Sequence, residues 1–453
     1  MSIDTLFQRF IENAPLPVRV RALLERTFHP ERLDAWLDQT ADAQYTRELL
    51  FSTLFELMSQ GVCGVRRSVH DAYQAAEHMA PSVGAVYRKL ARVEPTTGTE
   101  WVRDSARESR AVMDALAYTR PEPFPGDRVK RLDGHALAAT EHRLKALRRR
   151  RAAALPGNAV GVYEPARHLR VDLFPCEDGH AQERSLLPAL VETLQRGEVG
   201  VGDRHFCVTD LLVGMAQRGA YFIVREHEHV RLTPQEAMRD CGRVETGTVA
   251  AQRGVLTRAG QPTLAVRRMA VRLDPPTRAG DTPRYLLTDL PPADAPATGV
   301  ARVYRGRWRL ETAFQILATA LTSEIDTLAY PKAALFGFAV AGVTDNVRAT
   351  ATAALAQGQG ADTIERALSD YDLAAELDAV AAGMAGALPA QDWQVFRLLP
   401  LTAFVACLLT LAEHVRLARF RKHPRGPKKP PPKRSYDPKH PHVSTARLIA
   451  ARK

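Results

Sequence analysis

Apolar residues recur along the first 120 positions at three- and four-residue steps: Phe7, Phe10 and Ile11, then Leu49, Leu50, Leu54, Leu57 and Met58. That spacing puts them on one face of successive helices, so residues 1 to about 120 are predicted helical. Pro81-Ser82-Val83 reads as a helix start with a capping serine, and Arg88 and Lys89 follow on one side. Such a helix can act as the recognition element of a helix-turn-helix, though short basic helices without that role are common.

Near residue 121 the pattern changes. Pro121, Pro123, Pro125 and Gly126 mark a boundary, and short strand-like runs follow. Strands are predicted over Arg128 to Leu132, ending at Asp133-Gly134, and over Ala159 to Tyr163 and Leu169 to Leu173, joined by a Glu164-Pro165-Ala166-Arg167 hairpin. A helix over Ser185 to Gln195 precedes a strand over Glu198 to Val201 that ends at Gly202-Asp203. Another helix (Thr209 to Arg218) and a buried strand (Ala220 to Val224) complete a mixed α/β order. From 226 to 297, strand-like pieces at Gly247 to Ala251, Leu264 to Val271 and Arg284 to Thr288 alternate with Gly- and Pro-rich turns, which reads as a β-rich insertion. From Val300 to Ala418 the helical pattern returns. The apolar run from Leu398 to Ala412 contains Pro400 and falls short of the roughly 18–20 residues of a membrane span, so it reads as a buried helix.

Composition adds the location of charge. The chain has 453 residues, 45% apolar and 25% charged, which suits a folded chain of about three domains' length. Lys and Arg exceed Asp and Glu by 62 to 51, and 421–453 alone holds eleven basic residues against Asp437. This tail therefore supplies +10 of the net +11, and its seven prolines predict an extended arm. Such an arm either adds salt-dependent phosphate contacts or merely solubilises the chain. The remaining body is near neutral, so a polyanion site there must be a local patch. Arg143 to Arg151 is one, read as a helix anchored by Leu144 and Leu147 with Arg148 and Arg149 outward; a solvated helix end is the plainer alternative. The five cysteines lack metal-ligand spacing, which excludes a zinc ribbon and fits a reducing compartment. The N-terminus carries no apolar signal core, so a soluble, cytoplasmic protein without a membrane partner is expected. No P-loop is present.

Three acids stand out: Asp133 and Asp203 at strand ends, and Glu311 in a helix after the insertion. Carboxylates gathered this way need a counter-charge, and divalent metal with oxygen ligands is the usual one. Around Glu311 the chain reads Tyr304-Arg305-Gly306-Arg307-Trp308-Arg309-Leu310-Glu311. At about 100° per residue, Tyr304, Arg307 and Glu311 share one helix face, suited to holding a phosphate beside a metal ligand. A surface Arg–Glu pair is the simpler account of the same spacing. Other acidic candidates have ordinary explanations: Glu226-His227-Glu228-His229 as a solvent-facing strand, Glu177, Asp178 and Glu183 as a capping turn, Asp172 as strand interior. Asp326 lies about four turns along the Glu311 helix by this reading.

The pattern Tyr304-x2-Arg307-x3-Glu311 resembles the signature of DDE transposases of the insertion-sequence-four family. Arg131-Leu132-Asp133-Gly134-His135 with Glu141-His142-Arg143-Leu144 is similar to the segment around that family's first aspartate, and Gly202-Asp203-Arg204-His205-Phe206 to that around its second. The resemblance covers about 120 to 340 and implies an RNase H-like α/β fold carrying the β-rich insertion. It departs at one point: the family's Lys seven residues after the Glu is here Ala318, and the next basic residue is Lys332.

What the resemblance implies is a transposase catalysing metal-dependent DNA cleavage and strand transfer, cut-and-paste. Asp133, Asp203 and Glu311 would hold two Mg2+ ions, with Mn2+ as substitute. Tyr304, Arg307, Arg204, Trp308, Arg148 and Arg149 would contact DNA. The partners would be terminal inverted repeats of its own element and target DNA, met by a homodimer. The implied organisation is a helical DNA-binding region (1–120), an RNase H-like core (121–225 and 298–345), the β-rich insertion (226–297), a helical C-terminal region (346–420) and the basic tail (421–453). Alternatives are a metal-dependent nuclease without strand transfer, a degenerate copy that only binds DNA, and a scaffolding protein.

Overall fold

In a computed structural model, the described residues are 11–12, 14–40, 49–76, 79–258, 261–274, 283–307, 321–369, 390–420, 422 and 439–451. Among the described residues the chain opens with α1 (Pro15–Phe28), α2 (Pro30–Thr40), α3 (Phe51–Val62), α4 (Val69–Ala75), α5 (Val83–Leu90) and α6 (Pro95–Ala115). The cap expected at Ser82 is present, its Oγ accepting from Ala85 N at 3.3 Å. Trp101 on α6 gathers the apolar faces: its ring lies 4.4 Å from Phe55, 5.4 Å from Phe51 and 5.5 Å from Phe28.

The sheet begins with β1 (Arg128–Ala136); β2 (Ala154–Leu155) lies outside it. β3 (Asn158–Glu164) and β4 (Leu169–Cys176) form the predicted hairpin, and β3 runs antiparallel to β1. Helix α7 (Leu187–Thr193) then carries the chain to β5 (Glu198–Gly202), parallel to β1, and α8 (Thr209–Gln217) carries it to β6 (Tyr221–Arg225), parallel to β5. The order β4-β3-β1-β5-β6 is the RNase H-like mixed sheet expected from the sequence. The β-rich stretch does not fold apart from it. β11 (Arg284–Thr288) pairs antiparallel with β6, and β10 (Gln261–Leu273), β9 (Gly247–Arg258) and β7 (Leu232–Pro234) continue outward, with β8 (Arg239–Val244) also on β9. Apolar side chains cover both faces: Leu132, Leu190, Leu211 and Phe222 lie in one cluster, Val129, Val201, Ile223 and Val300 in the other.

After the sheet come α9 (Ala297–Arg305), α10 (Pro331–Gln359), α11 (Ala361–Ala367), α12 (Val395–Leu398) and α13 (Leu401–Glu413). The alanine-rich α10 is buried along most of its length because α1, α3, α6, α13 and β4 surround it. Two polar residues fix its register. Asn346 Oδ1 accepts from Arg170 N at 2.8 Å, while its Nδ2 donates to Arg170 O and Ser105 Oγ. Asp345 accepts from Arg170 and Arg348 at 3.0 and 2.9 Å. Burial works against the Asp345 charge, but the two guanidiniums outweigh it and hold the carboxyl below its ordinary range.

Five local expectations need correction. Arg143 to Arg151 is a chain of turns, not a helix, with Leu147 buried. Like charges at helical spacing repel, and cross-loop bonds such as Thr140 N to Ala154 O (2.9 Å) engage the backbone instead. Glu226 to His229 follows the end of β6 as a turn rather than a strand, closed by Val230 N to His227 O. Asp326 sits in a turn, not on a helix. The tail is not extended throughout: β12 (Val443–Ser444) pairs parallel with β2, and α14 (Thr445–Ala450) follows. The run from Leu398 to Ala412 is not one helix but two pieces broken at Pro400, and among the described residues no single helix is long and apolar enough to cross a membrane.

Asp345→Ala should leave Arg170 and Arg348 as uncompensated buried charges and cost about 3–5 kcal/mol of stability. Urea unfolding measures this, and a loss below about 1 kcal/mol would show that the pair does not fix α10.

Candidate functional site

The parallel register of β1 and β5 runs from Arg128↔Glu198 to Arg131↔Val201. Carried two residues further, the same offset sets Asp133 beside Asp203, where the β1–β5 ladder has ended and β1 continues only on β3. Neighbouring strands lie about 5 Å apart, so the two acids share one strand-tip region. Asp133 is therefore inside β1, not at its end as the sequence suggested; it is the parallel pairing that ends before it.

Local sequence shapes both tips. Asp203 Oδ1 accepts from His205 N at 2.7 Å and starts a tight turn over Arg204 to Phe206. Gly202 permits this turn, since a Cβ there would lie 2.7 Å from Phe206 Cβ. At Gly134 the space of a missing side chain is filled by the Glu183 carboxylate, whose Oε1 lies 1.9 Å from where a Cβ would sit.

The capping role expected of this turn is filled by Asp178, which accepts from His180 N at 3.0 Å, and not by Glu183. Instead Glu183 leans over the residue after Asp133. Burial first, and the Asp203 charge second, push its carboxyl above the ordinary value of 4.5. It makes no hydrogen bond or ion pair among the described residues. The acids inside the sheet differ: Asp172 pairs with Arg103 at 2.8 Å, Glu164 with Arg110 at 2.6 Å and Glu198 with Lys130 at 2.6 Å. Asp172 is thereby accounted for as structure.

Helix α9 buries Val300, Ala301 and Val303 against the sheet and carries Tyr304 toward the strand tips. Described helix ends at Arg305, and Arg307 follows in a turn, its N donating to Tyr304 O at 3.0 Å. Arg307 Nη1 reaches Asp133 Oδ1 at 3.6 Å, and its charge favours ionisation of the Tyr304 phenol. Burial, joined by the Asp203 charge, raises the Tyr304 phenol above its ordinary range against the pull of Arg307 and Arg225. The structure thus brings Asp133, Asp203, Tyr304 and Arg307 together, with Arg204 exposed on the Asp203 turn. Arg225, at the tip of β6, joins them, and its place at a third parallel strand end was the signal for it. Glu311, Trp308 and Ala318 lie outside the described residues.

Where the chain is described again, it returns to β1. Glu324 Oε1 meets His135 Nε2 at 2.7 Å and its other oxygen accepts from Ala138 N, while the His135 ring stacks on Phe338 at 5.1 Å. Lys332, the basic residue considered in place of the family lysine, is paired with Glu94 at 3.0 Å. Arg148 and Arg149 lie on the loop that follows β1.

No group of three His, Cys, Asp or Glu among the described residues is set to hold a metal ion. The donor chemistry nevertheless suits one. Asp133, Asp203 and Glu183 offer only carboxylate oxygens, the preference of hard divalent cations, and the half-buried Glu183 makes no ion pair among the described residues.

Residues 162–329 match the family model for the transposase DDE domain. The span opens on β3, after Asp133, and contains Asp203, Tyr304, Arg307 and Glu311. It supports a transposase of the DDE type. No curated protein matches the chain. A cryo-EM structure of the piggyBac transposase synaptic complex with hairpin DNA is similar at 12% identity and a TM-score of 0.38, covering 84% of each chain. A likeness of that size carries no argument about fold or function.

Glu183→Gln should raise the melting temperature at pH 7–8 and leave it unchanged near pH 4. The native state holds the Glu183 proton more tightly than the unfolded chain, so its charge costs stability as pH rises from the ordinary carboxyl range through the raised one. An equal shift at both pH values would mean that neither burial nor the Asp203 charge penalises the ionised carboxyl.

Proposed function

We propose that this protein is a cut-and-paste DNA transposase of the insertion-sequence-four kind, acting on the ends of its own element. The observation that supports this most is the convergence of Asp133 and Asp203 at adjacent parallel strand tips, with Arg307 of the Tyr-x2-Arg-x3-Glu segment lying on Asp133. The DDE-domain match over 162–329 points the same way.

In this reading Asp133, Asp203 and Glu311 hold two Mg2+ or Mn2+ ions, and Glu183 adds negative charge beside them. When bound, such ions activate a water or a 3′-hydroxyl and stabilise the leaving oxygen. The chain's own residues hold the DNA. Arg307 moves between Asp133 and a phosphate oxygen, a change its 3.6 Å contact permits at small cost. The Tyr304 hydroxyl, kept protonated by its burial, donates to the same phosphate. Arg204 and Arg225 flank it, and Trp308 stacks on a base displaced from the helix. Strand transfer joins the freed 3′ end to target DNA within a homodimer. Arg307 and Glu324, which precede and follow the Glu311 segment in sequence, both contact β1.

The test is incubation with duplex carrying the DNA that flanks the gene, plus Mg2+, scoring free 3′-hydroxyl ends and joined products. Asp133→Asn, Asp203→Asn and Glu311→Gln should each lower cleavage by at least about a hundredfold with DNA binding kept. Cleavage without preference for the flanking ends would make the protein a nuclease. Specific end binding without cleavage by the wild type would make it a DNA-binding derivative.

A further inference from the structure

Two basic segments nearly 300 residues apart in sequence are joined in the fold. The first is the loop between Thr140 and Ala154, which carries Arg143, Lys145 and the four consecutive arginines Arg148 to Arg151, with no acid between His142 and Tyr163. The second is the end of the basic tail. Val443 N donates to Ala153 O at 2.9 Å, β12 runs beside β2, and Arg447 Nε holds Asp178 Oδ2 at 2.7 Å.

The loop is built firmly. Thr140 N donates to Ala154 O, the His142 ring to Ala152 O at 2.8 Å, and Arg150 N to Leu147 O at 2.8 Å, around the fully buried Leu147. Arg143 is paired with Glu141, but the rest of the loop's charge is left uncompensated. Lys145, Arg149, Arg150 and Arg151 are exposed, and none makes a side-chain hydrogen bond or ion pair among the described residues. Arg148 bonds only the carbonyl of Arg143. Other arginines of this protein are neutralised, as in Arg103–Asp172, Arg110–Glu164 and Arg397–Glu25. Holding like charges together in a fixed loop costs free energy that a polyanion returns.

The loop also has a place relative to the acids. It leaves β1 directly after the Asp133 segment, and Glu141 N donates to Asp326 O at 2.8 Å, close to the Glu324–His135 contact. On its other side the Arg143 charge is felt at the Tyr87 phenol of α5, and Arg88 on the same helix is exposed.

We infer that the 140–154 loop, with the C-terminal segment stapled to it through β2 and β12, is one seat for the backbone of duplex DNA lying outside the acid cluster. The inference rests on the transposase reading for its choice of DNA. Steric form favours a duplex: the positive groups are spread over a broad exposed surface, and no aromatic side chain lies between Arg143 and Arg151 to stack an unpaired base.

The experiment measures fluorescence anisotropy of the full chain with a labelled 30-base-pair duplex across a salt series. Arg148, Arg149, Arg150 and Arg151 changed together to Ala should weaken binding by at least about thirtyfold at physiological salt and lower the salt slope by about 3–4, near 0.9 per lost phosphate contact. Val443→Pro keeps every charge but removes the amide that Ala153 accepts, and should weaken binding by about three- to tenfold. An unaltered melting temperature and unaltered affinity in the quadruple variant would overturn the seat. Unaltered affinity in Val443→Pro would overturn the staple. Tighter wild-type binding to single-stranded DNA or RNA than to duplex would overturn the choice of partner. If the wild type cuts no DNA while the quadruple variant still loses binding, the transposase reading fails and this seat stands. If the wild type cuts and the quadruple variant binds normally, the seat alone fails.

Discussion

The structure depends on where the parallel ladder between β1 and β5 stops. It pairs residues up to Arg131 and Val201, then releases both strands one step before their aspartates. Had pairing continued, Asp133 and Asp203 would sit in a covered sheet, where each charge would require its own cation. Because it stops, the two carboxylates emerge at one edge within reach of solvent, of Arg307 and of a ligand. The Asp203 turn, made possible by Gly202, is what diverts β5 at that point. β1 can continue because β3 still satisfies its backbone as far as Ala136.

Charge is sorted accordingly. Inside the fold, several buried carboxylates meet a guanidinium or ammonium: Asp345 with Arg170 and Arg348, Asp172 with Arg103, Glu198 with Lys130. At the strand tips that rule is relaxed on the acidic side, with Glu183 leaning over Gly134 toward Asp203. On the 140–154 loop it is relaxed on the basic side. Both of these departures lie where a ligand can reach them. Sites of this kind trade stability for function.

Much of this could be read in the sequence because it is local. The strand–strand–strand–helix–strand–helix–strand order, the Glu164–Arg167 hairpin and the Ser82 cap follow from residue spacing and turn chemistry alone. Asp203 was legible from the Gly-Asp that closes a strand, and Tyr304 with Arg307 from their three-residue spacing. What could not be read is non-local. Nothing in the alternation of Leu264 to Val271 says that β10 reaches β6 through β11 and enlarges the sheet. Glu183 looked like a cap because caps and site acids use the same residue types. The arginine run looked helical because Leu144 and Leu147 are three apart, yet Leu147 is the anchor of a closed loop. The tail looked extended because its prolines forbid a core, but a two-residue strand needs no core when β2 offers it an edge.

The edge at β2 shows how little local signal such an attachment needs. A pair of two-residue strands has little stability in isolation. Here it is supplemented by Arg447 on Asp178 and by Ser444 Oγ, which accepts from Arg447 N at 3.5 Å to start α14. Asp178 in turn sits on the segment that leads into Glu183. One short stretch, from Asp178 to Glu183, therefore touches both the tail staple and the acid edge. A change in how the tail sits on β2 has a direct covalent route to the carboxylate leaning over Gly134. The basic surface and the acid cluster are in this sense two ends of one piece of chain, and coupling between them needs no longer path than those six residues.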